Sequence, residues 1–251
     1  MAEVTNPELQ LAFDFVQYTN RNVFLTGKAG TGKTTFLHRL KTLSPKRMIV
    51  VAPTGVAAIN AGGVTIHSFF QMPFGPIIPT GQSSNAPFAG QEQSSASVRK
   101  FSREKINIIR SLDLLVIDEI SMVRADLLDG IDEVLRRYKN RSKPFGGVQL
   151  LMIGDLHQLA PVVKDDEWSL LREYYSTPFF FGSIALRQTN YVSIELKHIY
   201  RQSDREFIDL LNHVRDNIIT DEVLNTLNSR YIPNFALEAE EGYITLTTHN
   251  H

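Results

Sequence analysis

The sequence predicts an α/β protein with a parallel central sheet, and three observations support this class. Short apolar runs alternate with segments of helical periodicity along the chain. The runs at 47–52, 113–117 and 149–153 are almost continuously apolar, which is typical of strands buried on both faces of a parallel sheet. A glycine-rich segment, 27–34, joins a predicted strand to a predicted helix, an arrangement that suits phosphate binding at a helix N-terminus.

Periodicity and helix-capping residues define the individual elements. Asn6 and Pro7 are typical of an N-cap and a first helical position, so they predict a helix over 6–18. Apolar positions at helical spacing predict further helices at 34–43, 125–138, 204–216 and 221–227. The predicted strands are 22–26, 47–52, 113–117, 149–153, 191–196 and, as the last candidate, 243–248. Strand, helix and strand in succession form the parallel unit of such sheets.

Composition and charge exclude several classes of protein. With 43% hydrophobic residues among 251, the chain can bury about 70–75% of its unfolded surface, so disorder is excluded as its main state. It has no cysteine, which excludes disulfides and thiolate zinc sites. No segment has the length of a membrane span, and we expect an intracellular protein, cytoplasmic or, in a bacterium, in the nucleoid. The formal charge of −1 requires any polyanion site to arise from local clustering.

The segment 27–34 reads G-K-A-G-T-G-K-T and fits the phosphate-loop pattern G-x-x-x-x-G-K-[ST]. We predict that Lys33 lies against the β- and γ-phosphates of a nucleotide and that the Thr34 hydroxyl binds Mg²⁺. A glycine-rich turn without a ligand is the alternative. The predicted nucleotide contacts in this segment are Gly27, Ala29, Gly30, Thr31, Gly32, Lys33, Thr34 and Thr35.

Two adjacent carboxylates follow the apolar run that ends at Ile117. Asp118 is predicted to hold Mg²⁺, directly or through water, and Glu119 to polarise the attacking water. An Asp-Glu pair is also common where a helix begins, so the pair alone leaves both interpretations open. Together with the phosphate loop, it favours hydrolysis.

Four motifs in order resemble those of superfamily one helicases. They are the phosphate loop, D-E-I-S-M at 118–122, G-D-L-H-Q-L at 154–159 and L-K-H-I-Y-R-Q at 196–202. The run P-F-G-G-V-Q-L at 144–150 resembles the signature of the petite integration frequency (PIF) helicases, a superfamily one B group related to RecD. The resemblance covers nearly the whole chain. It implies a RecA-like P-loop NTPase domain and an ATP- and Mg²⁺-dependent 5′-to-3′ DNA helicase.

The resemblance assigns roles to three further residues. Gln158 is expected to sense the γ-phosphate, Arg201 to reach it from beyond the first lobe, and Gln10 to read adenine. The alternatives are a loop-capping amide, a salt-bridged surface arginine and a solvated helical residue, respectively. The family usually has Q-L-P-P-V where this sequence has Ala160 in place of the first proline, and we expect a less rigid loop there. The predicted catalytic set is Lys33, Glu119, Gln158 and Arg201.

Segments 52–55 and 64–70 are similar to the motif with which these helicases contact a single strand. Small hydroxyls and backbone N–H groups suit phosphates, whereas His67 and Phe69 can stack on bases. The alternatives are that His67 is a core histidine and that Phe69 or Phe70 belongs to the core. The predicted DNA contacts are Thr54, Gly55, Thr65, His67, Ser68 and Phe69.

The resemblance divides the chain into a RecA-like lobe at 1–71 and 99–242, a small inserted subdomain at 72–98 and the start of a second lobe at 243–251. The insertion is rich in Pro, Gly and Ser and has a single charged residue, Glu92, so a disordered loop is its alternative. Basic clusters at 99–105 and 136–143 suit a nucleic-acid backbone. The second also closes a predicted helix, where cations are favourable, which leaves a solvated face as the alternative.

These features predict a monomeric motor that translocates on single-stranded DNA. Its expected partners are single-stranded DNA and duplex or G-quadruplex junctions, with roles in DNA repair and telomere maintenance and none at a membrane. Because motifs five and six are missing, we expect this chain to bind nucleotide but not to unwind DNA alone. One alternative is a nucleotide-switched module that binds single strands without motor activity. Another is a nucleotide kinase or GTPase, although the sequence has no N-K-x-D guanine motif.

Overall fold

A computed structural model describes residues 6–79, 101–202, 204–233, 235 and 247. Internal contacts divide the chain into two units, 1–201 and 202–251. The first unit contains a parallel sheet with helices packed on it, and the described part of the second contains two helices.

The sheet of the first unit has six strands in the order β3-β2-β4-β5-β1-β6, and all neighbouring strands are parallel. This confirms the predicted parallel sheet and α/β class. The strands are β1 (Asn22–Gly27), β2 (Met48–Ala52), β3 (Val64–Thr65), β4 (Leu114–Ile117), β5 (Gln149–Gly154) and β6 (Tyr191–Leu196). Because β1 lies between β5 and β6, the loop that follows β1 lies between the loops that follow these two strands.

The predicted helices are present, together with five that were not predicted. Asn6 accepts hydrogen bonds from the N–H groups of Glu8 and Leu9 at 3.1 Å, which confirms it as the N-cap of α1. The helices of the first unit are α1 (Pro7–Tyr18), α2 (Lys33–Leu43), α3 (Gly55–Asn60), α4 (Ile66–Phe70), α5 (Arg103–Ser111), α6 (Ala125–Tyr138), α7 (Asp165–Leu171) and α8 (Ile184–Arg187). The second unit contains α9 (Arg205–Arg215) and α10 (Asp221–Asn228). Of the unpredicted helices, α3, α4, α7 and α8 are too short to give a clear periodicity. Helix α5, with nine residues, was missed although it is longer than the predicted α10.

Two apolar cores lie on opposite faces of the sheet. In β4, Leu115 and Ile117 belong to one core, whereas Leu114 and Val116 belong to the other. Helix α6 packs in the first core, and α1 and α2 pack in the second. Both faces of the sheet are thus covered, which explains why these strands are continuously apolar.

The segment that resembles the PIF signature forms a buried turn between α6 and β5. Phe145 is fully buried with a left-handed φ of 51°. Its N–H donates to the carboxylate of Asp132 on α6, which also accepts from Arg136 Nε at 2.7 Å. The segment therefore fixes the start of β5 relative to α6.

Several predicted features lie outside the described residues. These are the part of the insertion at 80–98, the first two members of the first basic cluster, Arg99 and Lys100, and the strand candidate 243–248 apart from Thr247. Within the described part of the insertion, 72–79, the chain forms neither helix nor strand. None of the described helices is long and apolar enough to cross a membrane.

Candidate active site

The phosphate loop lies between β1 and α2 and closes around the ammonium group of Lys33. Nζ of Lys33 donates to the carbonyl oxygens of Gly27 and, at 3.0 Å, Lys28. The side chain of Thr31 is fully buried, and its hydroxyl donates to the same Lys28 carbonyl at 2.8 Å. The loop is therefore folded around the lysine that the sequence predicts to bind phosphate.

The segment bearing Arg201 packs directly on the phosphate loop. The N–H of Tyr200 donates to the Gly30 carbonyl at 2.8 Å, and the Tyr200 hydroxyl accepts from Asn6 Nδ2 at 3.2 Å. Gly30 has a left-handed φ of 80°, and a Cβ added there would lie 2.7 Å from Cβ of Arg201. Sequence reasoning assigned no role to Tyr200, although it stands within the motif that drew attention to Arg201.

Arg201 itself is exposed beside the loop. Within the described residues, it takes part in none of the ion pairs. The alternative of a salt-bridged surface arginine therefore has no support in the described part of the chain. The guanidinium is attached to a backbone that the phosphate loop holds in place.

Asp118 and Glu119 lie at the carboxyl end of β4. The Asp118 N–H donates to the Val51 carbonyl at 2.9 Å and so continues the pairing of β4 with β2. Glu119 has a left-handed backbone, φ 51° and ψ 45°, and its side chain does not cap the 3₁₀ turn Ile120–Met122 that follows. A residue other than glycine is rarely found in this conformation, and such strain concentrates at functional sites. The helix-capping alternative is not what the structure shows for Glu119.

Burial and mutual repulsion raise the pKa values of this pair. Burial is the main cause of the raised pKa of Asp118, and the charge of Lys33 opposes it. Burial also raises the pKa of Glu119, and the negative charges of Asp118 and Asp155 raise it further. Negative charge thus converges beside the lysine of the phosphate loop, where a cation would relieve the repulsion.

The donor groups at this point fit Mg²⁺. Thr34 and Asp118 offer a hydroxyl and a carboxylate, the oxygen ligands that Mg²⁺ prefers. The described residues contain no group of three or more His, Cys, Asp or Glu side chains placed to hold a metal.

Gln158 is held by its own loop after β5. Its Nε2 donates to Oδ2 of Asp155 at 2.8 Å, and the His157 N–H donates to Oδ1 at 3.1 Å. The side chain of Gln158 is exposed, whereas Asp155 is only 1% exposed. The structure thus shows an amide bonded within its own loop and oriented by a buried carboxylate.

Gln10 lies on the exposed face of α1. Its Nε2 donates to Oδ1 of Asp14, one turn further along the helix, at 2.8 Å. The N-cap of the same helix, Asn6, binds Tyr200, so α1 is attached to the segment that packs on the phosphate loop. Gln10 is therefore on an element of the site, and its adenine-reading role stays a prediction.

Most of the predicted DNA contacts gather at the carboxyl ends of β2 and β3. The register pairs Ala52 with Thr65, which brings the two segments side by side. Thr54 accepts from the Ala57 N–H and Thr65 from the Ser68 N–H, both at 3.2 Å. These hydroxyls are N-caps of α3 and α4, while Gly55 and Ser68 are exposed.

The prediction that Phe69 stacks on bases requires correction. Phe69 is only 7% exposed and packs edge-on against Phe70 in the core, because its place in α4 points the ring toward the sheet. His67 is half-buried, and burial lowers its pKa. Its ring stacks on Phe74, with centroids 4.9 Å apart. Phe74 was missed because it stands in a Pro- and Gly-rich segment that shows no periodicity.

The second basic cluster serves the structure of α6. Arg136 pairs with Asp132 at 2.7 Å and Arg137 with Glu133 at 3.0 Å. Lys139 donates to the carbonyl oxygen of Leu112. These partners favour the interpretation as a solvated, structural face over a nucleic-acid surface.

Comparisons with known proteins agree with the arrangement of these motifs. The PIF1-like helicase family model matches residues 10–224. The chain is 36% identical over 211 residues to the ATP-dependent DNA helicase PIF1 of Danio rerio, and the match covers 82% of this chain and 29% of that relative. The chain therefore spans less than a third of the length of this curated relative.

Two solved structures are similar over most of the chain. Pif1 helicase from Bacteroides in complex with ADP-AlF3 and single-stranded DNA is 43% identical, with a TM-score of 0.86 over 98% of this chain and 54% of that one. A structure of two coordinating Pif1 helicases, concerned with DNA unwinding at forked double-stranded DNA, is 45% identical, with a TM-score of 0.80 over 90% and 52% of the two chains. Because the family model matches residues 10–224 and these solved structures share the α/β fold, the chain belongs to the PIF1-like helicase family.

Proposed function

We propose that this chain carries the nucleotide-binding lobe of an ATP-dependent helicase that moves 5′ to 3′ on single-stranded DNA and unwinds duplex. One observation carries the proposal. The phosphate loop, the carboxylates after β4 and the backbone of Arg201 meet at one edge of the sheet, and the candidate strand-contacting residues lie on the neighbouring strands of the same edge. The curated relative is an ATP-dependent DNA helicase, which supports the assignment.

In this proposal, Lys33 exchanges its loop carbonyl partners for the β- and γ-phosphate oxygens of ATP. Thr34 and Asp118 would hold Mg²⁺, which would neutralise charge on the phosphates. The Bacteroides Pif1 structure contains ADP-AlF3, a nucleotide with a fluoroaluminate group, and this supports nucleotide binding by the corresponding loop of this chain.

Glu119 acts as the base in the proposed hydrolysis. Burial and nearby negative charges raise the pKa of Glu119 toward neutral pH. A general base is most effective when its pKa lies near the pH at which it works, because it is then ionised and still accepts a proton readily. Arg201 balances the charge that develops on the γ-phosphate, a contribution of about 10³ to 10⁵ in rate. Gln158, oriented by Asp155, reports the presence of that phosphate to the DNA-binding loops.

Single-stranded DNA is proposed to cross the carboxyl ends of β2 and β3. Thr54, Gly55, Thr65 and Ser68 supply hydroxyl and N–H groups to its phosphates. Since the net charge of the chain is −1, the affinity depends on such local contacts. Their number determines how steeply binding falls as salt increases.

We propose further that this chain alone hydrolyses ATP slowly and does not unwind DNA. The match covers 29% of the curated relative and 54% of the solved Bacteroides chain, so both are longer than this chain, and closure of two lobes on the strand is needed for translocation. If a group absent from this chain supplies even about 10³ in rate, its loss costs roughly 4 kcal/mol of activation barrier. Nucleotide binding through the phosphate loop does not depend on that group.

A switch that binds single strands without motor activity is the second candidate. The exposed Gln158 is bonded only within its own loop in the described contacts, so a nucleotide can reposition it without hydrolysis.

The test is ATP turnover with and without single-stranded DNA, together with unwinding of a duplex that has a 5′ single-stranded tail. We expect nucleotide binding and DNA-stimulated turnover that stays slow, without unwinding. Turnover that DNA does not stimulate favours the switch, and robust unwinding by this chain contradicts the restriction to one lobe.

A further inference from the structure

A highly exposed aromatic ring lies beside the candidate single-strand path. Phe74 belongs to the strap, which we define as residues 72–79 after α4, and it is 90% exposed. Its ring is nearly parallel to that of His67, with an interplanar angle of 15° and centroids 4.9 Å apart. In the part of the chain that the structure describes, His67 is the one ring stacked on Phe74. The two rings therefore form a step with an open outer face.

The strap is anchored to α6 by charged and polar contacts. The Ile77 N–H donates to Oδ2 of Asp126 at 2.8 Å, and Arg124 Nη2 donates to the Gly75 carbonyl at 2.6 Å. Arg124 and Asp126 also pair with each other at 2.7 Å, with side chains only 14% and 1% exposed. A buried ion pair with additional hydrogen bonds has a well-defined geometry, so the strap holds Phe74 at a fixed place.

Apolar contacts complete this anchorage. Met72 and Ile77 pack against the core that contains α6. A Cβ at Gly130 of α6 would lie 3.1 Å from Cδ1 of Ile77 and 3.4 Å from Sδ of Met72. The absence of a side chain at Gly130 lets the strap approach α6 closely. Phe74 is therefore exposed although the residues before and after it in the strap, Met72 and Ile77, are packed against the core.

The surroundings of the step suit a polyanion. Nζ of Lys105 lies 3.2 Å from the carbonyl oxygen of Ser68, the residue after His67. It is also 4.9 Å from the ring centroid of Phe69, which holds the cation next to the same helix. An exposed base-stacking surface beside a cation and exposed hydroxyls is the usual construction of a single-strand path.

We propose that Phe74, supported by His67, stacks on one nucleobase of bound single-stranded DNA. This inference rests on the proposed function and adds a base contact to a path otherwise made of phosphate contacts. Every base has a face that can stack, so the contact does not depend on the DNA sequence. The strap, through Arg124 and Asp126, positions the ring for this contact.

Binding of two labelled oligonucleotides to the full 251-residue chain tests the proposal. One is a short oligothymidylate, and the other has the same backbone with abasic sites in place of the bases. We expect Phe74→Ala to weaken oligothymidylate binding roughly 5- to 150-fold, the equivalent of about 1–3 kcal/mol for one stacked base. The same variant should bind the abasic strand as the unmodified chain does. Phe74→Trp should retain oligothymidylate affinity.

Tyr18→Ala is the matched control. Tyr18 is another exposed aromatic residue, 76% exposed, at the end of α1 that precedes β1 and thus at the opposite edge of the sheet. The Tyr18→Ala substitution should leave the affinities for oligothymidylate and for the abasic strand unchanged. Melting temperatures of all variants show whether the fold is retained.

The outcomes separate this inference from the proposed function. If the unmodified chain binds oligothymidylate and Phe74→Ala binds it equally well, the stacking proposal is overturned while the DNA-binding function stands. If Phe74→Ala weakens the two oligonucleotides equally, the ring acts on the backbone or on the fold, and stacking is again overturned. If the unmodified chain binds neither oligonucleotide, both proposals fail.

Discussion

In the loop after β5, the buried carboxylate of Asp155 accepts a hydrogen bond from the exposed side-chain amide of Gln158 at 2.8 Å. Asp155 is 1% exposed, so its position is fixed by the fold, and the amide takes its orientation from it. The Gly154 backbone that precedes this pair packs against Ile120 and Ser121, which follow Glu119. The pair therefore lies beside the turn that follows Glu119.

We expect Asp155→Ala to reduce the preference of the chain for a fluorescent ATP analogue over the corresponding ADP analogue. Loss of a hydrogen bond to a charged group costs about 1.5–3 kcal/mol, which corresponds to roughly a 10- to 150-fold loss of discrimination. ADP affinity should stay unchanged, because Asp155 acts through Gln158.

A double-mutant cycle with Gln158→Ala provides the control for this prediction. If Asp155 acts by orienting Gln158, the two substitutions together should cost no more than the larger single effect. Fully additive losses would show that Asp155 affects nucleotide binding by another route.

Lys33→Ala should weaken binding of a fluorescent ATP analogue by about 10- to 150-fold and abolish turnover. The ammonium group is the charge around which the phosphate loop closes, and a charge-assisted hydrogen bond contributes about 1.5–3 kcal/mol. Arg39→Ala is the matched control, since it removes a cation from the same helix whose side chain turns to the ring of Phe13, 6.0 Å away. Equal losses in the two variants would contradict the assignment of Lys33.

Gly30→Ala should lower the melting temperature by about 2–8 °C. A left-handed alanine costs about 1–2 kcal/mol, and about 1 kcal/mol shifts Tm by 2–4 °C in a chain of this size. The added Cβ also meets that of Arg201 at 2.7 Å, so nucleotide affinity should fall as well. Gly55→Ala is the control for differential scanning fluorimetry, because a Cβ there meets nothing within 4 Å, and its Tm should not fall.

Glu119→Gln should retain nucleotide binding, lose hydrolysis and raise the melting temperature at pH 7. The folded-state pKa of Glu119 lies above its ordinary value of 4.5, so folding binds a proton more tightly and stability falls as pH rises through that window. The gain in Tm should therefore be present at pH 7 and vanish below about pH 4.5, where the carboxyl is neutral in both states.

Asp113→Asn provides a control of opposite sign for this pH effect. Its hydrogen bonds with Arg47 hold the pKa of Asp113 below its ordinary value, so the ionised form stabilises the fold above that value and this stability is lost as pH falls. The substitution should lower Tm slightly at pH 7, since the pair is exposed and worth at most about 1 kcal/mol. A lower Tm for Glu119→Gln at pH 7 would contradict the strained, half-buried carboxylate described for the site.

The sequence alone was sufficient for the elements with strong local signals. Helix α6 begins and ends at the predicted residues, 125 and 138, because a long apolar stripe needs only periodicity to be detected. The phosphate loop, Asp118 and Glu119 were predicted as site residues for a related reason. Their chemistry requires fixed residue types at fixed spacing beside a strand end, and this information is local.

Tertiary structure decided which side chains are available to a ligand. Phe69 and Phe74 are both aromatic and five residues apart, yet one is 7% exposed and the other 90%. Their difference comes from the packing of α4 on the sheet and of the strap on α6. Such packing depends on residues far away in sequence, such as Arg124, Asp126 and Gly130. Local periodicity does not record these distant contacts.

The same division applies to the nucleotide site. The sequence determined that the loop, two carboxylates and Arg201 are present in the order of a PIF1-like helicase. Only the fold placed Tyr200 on Gly30 and Asp155 against Gln158. The parallel order β3-β2-β4-β5-β1-β6 collects loops from distant parts of the chain at one edge, and burial there raises the pKa of Glu119. Both effects arise from long-range burial and charge, which exist only once the chain has folded.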